Sequence, residues 1–132
     1  MRYWIKRSKE KGLNVCGHLI YGLPKETQEM MLETFRQTVE LKVDSIKFHP
    51  LYVVKNTLLT NEFKKGRFTP ISKELYIDTV VKSIKNLPEN ISIQRITAGI
   101  NDSTLLSPDW CRDKHTQMKN IRLALEKEGF NY

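Results

Sequence analysis

Short apolar runs alternate with longer segments of helical periodicity along this chain, and the alternation predicts the fold. Three of the runs, near residues 14–21, 45–49 and 91–96, have the length and character of buried strands. After each run, apolar residues recur at roughly the spacing of one face of a helix. Because strands separated by helices favour parallel pairing with right-handed crossovers, the pattern predicts an α/β fold with a parallel sheet.

Capping residues define the boundaries of the predicted helices. The first helix, over Met1–Lys11, is followed by Gly12, a residue type that commonly ends helices. Thr27 and Ser72 are suited to cap the next two helices, because a hydroxyl oxygen can accept a hydrogen bond from a free amide of the first turn. Gly129 is suited to end the last helix, so the predicted order is α-β-α-β-α-β-α.

The predicted sheet is small. Three strands would form only part of a barrel or a small open sheet, and an open edge strand is a liability that a whole protein normally covers. We therefore interpret residues 1–132 as a single domain or as a fragment of a larger one. Homo-oligomerisation through the exposed sheet edges is a further expectation.

Composition excludes several classes of protein. Hydrophobic residues make up 39% of the chain and charged residues 28%, which is typical of a globular protein rather than a disordered one. No apolar run approaches the roughly 18–20 residues of a membrane span, and no signal-peptide pattern follows the start. We therefore expect a cytoplasmic protein with no membrane partner. Two cysteines are too few for a disulfide framework.

Net charge leaves two interpretations open. The chain carries 22 basic and 15 acidic residues, a formal net charge of +7, which would favour a polyanion such as RNA as a partner. Lysines on solvated helix faces would give the same total, and the basic pairs Lys6-Arg7 and Lys64-Lys65 are short. The absence of a dense basic block favours the second interpretation.

Candidate chemistry lies where the predicted strands end. In parallel α/β folds the active site is found at the carboxyl ends of the strands, here residues 21–24, 49–52 and 96–99. Each of these ends contains Gly or Pro beside polar or aromatic residues. Gly22 would let a ligand approach the backbone closely. Ordinary turns also require Gly and Pro, so turn geometry is the alternative explanation.

The sequence gives little support for a metal site or for a catalytic nucleophile. Cys16 and His18 share a strand face by period-two spacing, and His49 on the next strand could join them. No zinc-ligand spacing supports such a cluster, and Cys111 with His115 is a weaker signal. We therefore predict hydrogen-bonded polar groups there and no metal site. Nucleophile-elbow and phosphate-loop motifs are absent from the sequence.

Three motifs in order resemble the radical S-adenosylmethionine (SAM) enzymes, and in particular their YhcC-type, Elongator-like group. The pattern Val-Cys-x-His-Leu-Ile-x-Gly-Leu-Pro is met at Val15–Pro24. The second, with Ile-Lys-x-His-Pro-Leu, lies in Asp44–Lys55, and the third, ending in Trp-Cys, in Thr104–Cys111. The likeness extends from Leu13 to Gly129, nearly the whole chain.

The resemblance implies a fold and two cofactors. The fold would be the C-terminal part of a partial (β/α)6, TIM-like barrel, with the first two strands here as its fifth and sixth. The full-length parent would use a 4Fe-4S iron–sulfur cluster to cleave SAM reductively to a 5′-deoxyadenosyl radical. The family's three closely spaced cluster cysteines lie upstream and have no counterpart here. We therefore expect this chain alone to bind neither cofactor and to be inactive, with the upstream part of the same polypeptide as its partner.

Site residues also follow from the resemblance. The residues expected near the adenosyl group of SAM, partly through their backbone, are Ile20, Gly22, Pro24, Leu51, Tyr52 and Val53. The residues expected to point toward the barrel interior or the substrate are His18, His49 and Arg95. The catalytic residues and the substrate are not specified by the resemblance. Elongator kinship suggests tRNA only by analogy.

One position departs from the family pattern. Lys25 replaces the usual glycine of Gly-Leu-Pro-Gly-Glu, so we expect an altered turn unless a residue with negative φ can serve there. The alternative to an enzyme part is a non-catalytic α/β binding module with RNA as its ligand.

Overall fold

The computed structural model describes residues 2–130, and the bounds of its helices and strands follow in chain order. They are α1 (Arg2–Glu10), β1 (Cys16–Tyr21), α2 (Gln28–Glu40), β2 (Ser45–Pro50), β3 (Val53–Val54), α3 (Leu58–Lys64), α4 (Lys73–Lys85), β4 (Ser92–Arg95), β5 (Leu105–Ser107), a 3₁₀ helix (Asp109–Arg112) and α5 (Lys114–Lys127). No helix among residues 2–130 is long and apolar enough to cross a membrane.

The three predicted strands form one parallel sheet in the order β1-β2-β4, which confirms the predicted fold class. Strand β1 pairs with β2 without interruption, from Cys16 opposite Ser45 to Tyr21 opposite Pro50. Between β2 and β4 the register shifts by one residue after Ile46, so β4 contains a bulge. A bulge adds one residue to one strand and increases the local twist.

The capping residues act as their sequence positions predict. The side chains of Thr27 and Ser72 accept hydrogen bonds from the amides three residues further along, at 3.2 and 3.1 Å. Asp113 caps α5 in the same way at 3.0 Å, and such caps stabilise a helix by about 0.5–2 kcal/mol. Gly12 and Gly129 have φ of 77° and 85°, the left-handed conformation expected where a helix ends.

The hydrophobic core lies between one face of the parallel sheet and helices α2, α4 and α5. Ile46 and Phe48 of β2 are fully buried, and Phe35 of α2 stacks on Phe48 with 6.3 Å between ring centroids. Burial of a side chain of this size contributes about 1.5–3 kcal/mol. The core therefore fixes which face of each strand is turned toward the helices.

Two buried tyrosine hydroxyls brace the sheet against α4. The hydroxyl of Tyr21 lies 2.7 Å from that of Ser83, and the hydroxyl of Tyr76 donates to the carbonyl oxygen of Ile96 at 2.9 Å. Burial raises the pKa of both phenols well above the ordinary value, so both stay neutral at physiological pH. Each bond satisfies a polar group that would otherwise be costly to bury.

The predicted order of elements is incomplete between β2 and α5. Strands β3 and β5 form a separate antiparallel pair, and α3 follows β3. The Arg112 guanidinium ties this region together by donating to the carbonyl oxygens of Asp102 and Leu105, at 3.0 and 2.8 Å. Strands of two and three residues are too short to produce a detectable sequence period.

Candidate functional site

One face of the parallel sheet is not covered by the helices, and we call it the open face. Leu19 and Tyr21 of β1 are buried on the helix side, whereas His18 and Ile20 are exposed on the opposite side, as the alternation of a strand requires. The residues assigned to the open face by register, alternation or hydrogen bonding are Cys16, His18, Ile20, Ser45, Lys47, His49, Ser92, Gln94 and Arg95.

Three basic side chains form a row across the open face, which we call the basic row. His18 of β1 pairs with Lys47 of β2, and Lys47 pairs with Arg95 of β4. Adjacent strands lie about 4.7–4.9 Å apart, so the three Cα positions form a line about 10 Å long. Within residues 2–130 no carboxylate forms a salt bridge with any of the three.

The bulge in β4 produces this row. Gln94 is the extra residue, and its side-chain amide donates to the hydroxyl of Ser45 at 2.9 Å. Arg95 then lies opposite Lys47, a position that an uninterrupted register would give to Gln94. The Nε of Arg95 is the one buried side-chain nitrogen or oxygen within the described residues that has no hydrogen-bond partner.

His49 lies near the carboxyl end of β2, beside the row. Its Nδ1 is 2.6 Å from the carbonyl oxygen of Pro50. A carbonyl oxygen only accepts, so Nδ1 carries the proton and Nε2 is left with a free lone pair in the neutral ring. Burial lowers the pKa of His49, and the cationic charges of Arg95 and His18 lower it further. The ring also contacts that of Tyr52, with centroids 5.0 Å apart.

The turn after β1 is held by a residue that the sequence analysis did not single out. The Oε1 of Glu26 accepts hydrogen bonds from the amides of Gly22 and Leu23, at 3.1 and 3.2 Å. A negative φ does not serve in this turn, because Lys25 has a φ of 62°. The turn keeps the left-handed geometry that a glycine would adopt easily, and a lysine adopts it at some cost.

Gly22 is required by its neighbour. It has a φ of 99°, and a Cβ at this position would lie 2.8 Å from the Cβ and Cγ2 of Ile71. The missing side chain therefore faces Ile71, and packing alone accounts for the glycine. Beside it, a cleft of about 430 Å³ runs between the turn and residues 67–72. Contact between Gly22 and a ligand stays a prediction.

The other residues expected near the adenosyl group differ in what they expose. Ile20 presents 46% of its surface on the open face, and Pro24 is exposed in the turn. Leu51 and Tyr52 are half-buried, and the Leu51 amide donates to the carbonyl oxygen of Tyr21 at 2.9 Å. Val53 is fully buried and offers a ligand no exposed surface.

The cysteines and histidines are not arranged as metal ligands. His49 pairs with Ile20, and His18 pairs with Lys47, so the two histidines lie in different rows. Among residues 2–130 no group of three His, Cys, Asp or Glu side chains could hold a metal ion. Cys111 is buried, which raises the pKa of its thiol to about 12. The described residues therefore do not fit an iron–sulfur cluster.

Two site residues, Lys47 and Glu26, were missed by sequence reasoning. The period of β2 was sufficient to find Lys47, because it lies between the core residues Ile46 and Phe48 and must point to the opposite face. Glu26 had no such signal, since its bonds to the preceding turn depend on the conformation of Lys25.

The family model described as the radical SAM C-terminal domain matches residues 43–127. The chain is 38% identical over 122 residues to protein YhcC of Escherichia coli (strain K12), covering 92% of this chain and 40% of that protein. It is 30% identical over 95 residues to a tRNA uridine(34) acetyltransferase of Methanocaldococcus jannaschii, covering 70% of this chain and 18% of that protein. The chain therefore spans well under half the length of these curated relatives.

A solved structure is similar along most of the chain. The archaeal Methanocaldococcus infernus Elp3 with an N-terminal deletion superposes with a TM-score of 0.80 and 25% identity. The match covers 92% of this chain and 28% of that one. The parallel strands and their helices are thus a similar arrangement in both proteins.

Proposed function

Because the chain belongs to the family of radical SAM C-terminal domains, we propose that it supplies the last strands of a radical SAM enzyme barrel. In this proposal residues 1–132 act as one unit, and the rest of a longer polypeptide supplies the earlier strands. The observation that carries the proposal is the open face, a parallel sheet covered by helices on one side and lined with polar groups on the other. In barrels built from parallel strands, the reacting groups lie at the carboxyl ends of the strands.

The adenosyl group of SAM would lie against the carboxyl ends of β1 and β2. Ile20 supports this placement, because a large apolar side chain that is 46% exposed would gain by covering an adenine ring. Gly22, Pro24, Leu51 and Tyr52 follow these strand ends, whereas the fully buried Val53 would act only through the residues packed around it. SAM supplies the radical chemistry when it is bound with the cluster. The cluster and the methionine end of SAM would be held by other parts of the polypeptide.

The open face would bind the substrate. The lone pair on Nε2 of His49 is suited to accept a hydrogen bond or hold a proton, since the lowered pKa keeps the ring neutral at physiological pH. His18 and Arg95 would donate hydrogen bonds beside it. Relatives named as tRNA uridine(34) acetyltransferases support an RNA substrate, and the net charge of +7 agrees with one.

A chimera tests this proposal. The segment of Escherichia coli YhcC that aligns with this chain would be replaced by the chain itself, and the product assayed anaerobically with a reductant for 5′-deoxyadenosine. We expect SAM cleavage at a rate comparable with that of unmodified YhcC. In the Ile20→Glu chimera, a carboxylate against the adenine should weaken SAM binding by about tenfold or more.

The assembled cluster serves as the folding control for the YhcC part, and the circular dichroism spectrum of each chimera serves as the folding control for the inserted chain. The visible absorbance of the cluster should be the same in the chimera, in the Ile20→Glu chimera and in YhcC. A chimera with an intact cluster and no SAM cleavage would contradict the proposal and favour the non-catalytic RNA-binding module. Equal SAM affinity in the two chimeras would contradict the placement of the adenosyl group.

A further inference from the structure

The open face carries basic groups and no acidic one. Its charged or titratable nitrogen groups are His18, Lys47, His49 and Arg95, from three different strands. Elsewhere in residues 2–130 seven arginine and lysine side chains pair with carboxylates, as Lys85 does with Glu128 at 2.9 Å. Many other lysines and arginines of residues 2–130 also form no salt bridge, so what distinguishes the open face is that its basic groups lie directly opposite one another on three strands.

This arrangement is unfavourable for the folded chain by itself. Like charges directly opposite each other on neighbouring strands are destabilising, and Lys47 has a basic neighbour on both sides. Arginine stays charged at any accessible pH, yet the Nε–H of Arg95 is buried without an acceptor. A bound anion would relieve both costs, because it would neutralise the row and accept from the guanidinium.

We infer that the basic row of His18, Lys47 and Arg95 binds a phosphate group of the substrate. This inference rests on the proposed function, because the open face is the substrate side only if the chain forms part of such a barrel. A phosphate carries more charge than a carboxylate and offers more acceptor oxygens, so it suits donors arriving from three strands. Arginine can engage such oxygens through two parallel hydrogen bonds.

The test is an NMR titration of the 132-residue chain with inorganic phosphate at constant ionic strength and near-neutral pH. The Nε–H signal of Arg95 and the ring signals of His18 should shift together and saturate. The Nε–H signals of Arg36 and Arg112, which already donate to Glu33 and Asp109, are internal controls that should stay still. Acetate should produce much weaker shifts. Shifts that are largest at the control arginines, or equal for acetate, would overturn the inference.

Matched variants separate the basic row from the general charge of the protein. Lys47→Gln should weaken phosphate binding by about tenfold, the loss expected for one charge-assisted hydrogen bond. Lys85→Gln removes the same charge from the outer surface and should leave the affinity unchanged. Lys47→Arg should restore binding. Equal losses in Lys47→Gln and Lys85→Gln would refute a defined site, and the amide spectrum of each variant reports whether it has folded.

Two further probes identify the source of the phosphate. Adenosine 5′-monophosphate presents a phosphate monoester, and a short single-stranded RNA presents phosphodiesters. Tighter binding of either probe supports the inference, provided that Lys47→Gln weakens that binding. If the chain binds phosphate in the NMR titration but the chimera fails to cleave SAM, only the proposed function is contradicted. If the chimera cleaves SAM but the chain shows no saturable shifts with phosphate, only this inference is contradicted.

Discussion

The carboxylate of Glu26 holds the amide of Gly22, with 3.1 Å between Oε1 and the nitrogen. The same oxygen accepts from Leu23, so one side chain fixes the backbone immediately after β1. The turn that borders the proposed adenosyl site is thus shaped by a contact within the turn itself.

Replacing Glu26 by alanine should lower the free energy of unfolding by about 1–2 kcal/mol, because two amides lose a charged acceptor in a partly exposed site. Urea unfolding of the variant measures the loss. Glu89→Ala serves as the control, since Glu89 is exposed, and a surface change of this kind should stay within about 0.5 kcal/mol. Equal effects of the two substitutions would show that the turn does not depend on Glu26.

Lys25→Gly should stabilise the protein. Lys25 has a φ of 62°, and glycine adopts this conformation without the steric cost that a side chain incurs. Part of that gain is offset by the larger entropy of glycine in the unfolded chain, so we expect a net gain of about 0.5–1 kcal/mol. Lys119→Gly, in the exposed middle of α5, should instead destabilise by about 1 kcal/mol. A loss of stability in Lys25→Gly, measured by urea unfolding, would contradict the prediction.

Gly22→Ala and Gly66→Ala should differ in cost although both residues have positive φ. A Cβ at Gly22 meets Ile71 at 2.8 Å, whereas nothing lies within 4 Å of one at Gly66. We expect about 1–2 kcal/mol for Gly66→Ala from backbone strain alone, and at least 1 kcal/mol more for Gly22→Ala from the clash. Thermal or urea unfolding in the absence of SAM checks this. Equal costs would remove Ile71 as the reason for the glycine.

The pKa of His49 should rise when Arg95 is replaced by glutamine. Burial is the largest cause of the lowered pKa, and Arg95 contributes by repelling the protonated ring. Arg95→Gln removes this repulsion, so the titration midpoint of the His49 ring signals in NMR should move upward. Arg122→Gln removes a distant exposed charge and should leave the midpoint where it is. An unchanged midpoint in Arg95→Gln would show that the two groups do not interact.

Stability should depend on pH through the same histidine. A group whose folded pKa is lowered binds its proton more weakly in the folded state than in the unfolded state. The contribution of neutral His49 is therefore complete above its ordinary pKa of 6.5, and it is lost as pH falls from that value through the lower folded pKa. Urea unfolding over this range should show a smaller loss in His49→Gln than in the unmodified chain. Identical profiles would assign the dependence to other groups.

The parallel sheet was predictable because each of its strands and helices is long enough for its hydrophobic period to be detected. Thr27 and Ser72 could be identified as caps from their type and position. The pair of β3 and β5 could not be predicted. It forms by hydrogen bonding between residues far apart in the chain, and strands this short have no detectable hydrophobic period. His18, His49 and Arg95 were assigned to one side of the sheet from the resemblance.

The basic row required more than periodicity. Strict alternation places Lys47 and His49 on one face of β2, but it cannot say which residue of β4 lies opposite. The bulge places Arg95 opposite Lys47, and no sequence pattern predicts this bulge. The conformation of Lys25 was missed for a related reason, since the turn imposes a geometry that lysine does not prefer.

Because β4 contains one extra residue, the deletion of a single codon would change which side chain lies opposite Lys47 on the open face. Deleting the codon for Gln94 would leave arginine opposite Lys47 in a regular ladder, whereas deleting the codon for Arg95 would put glutamine there. Both deletions keep Ile96 turned toward the core. A loss of three nucleotides could therefore remove the arginine and lower the positive charge of this surface without any substitution, which gives related genes a short route between ligands of different charge.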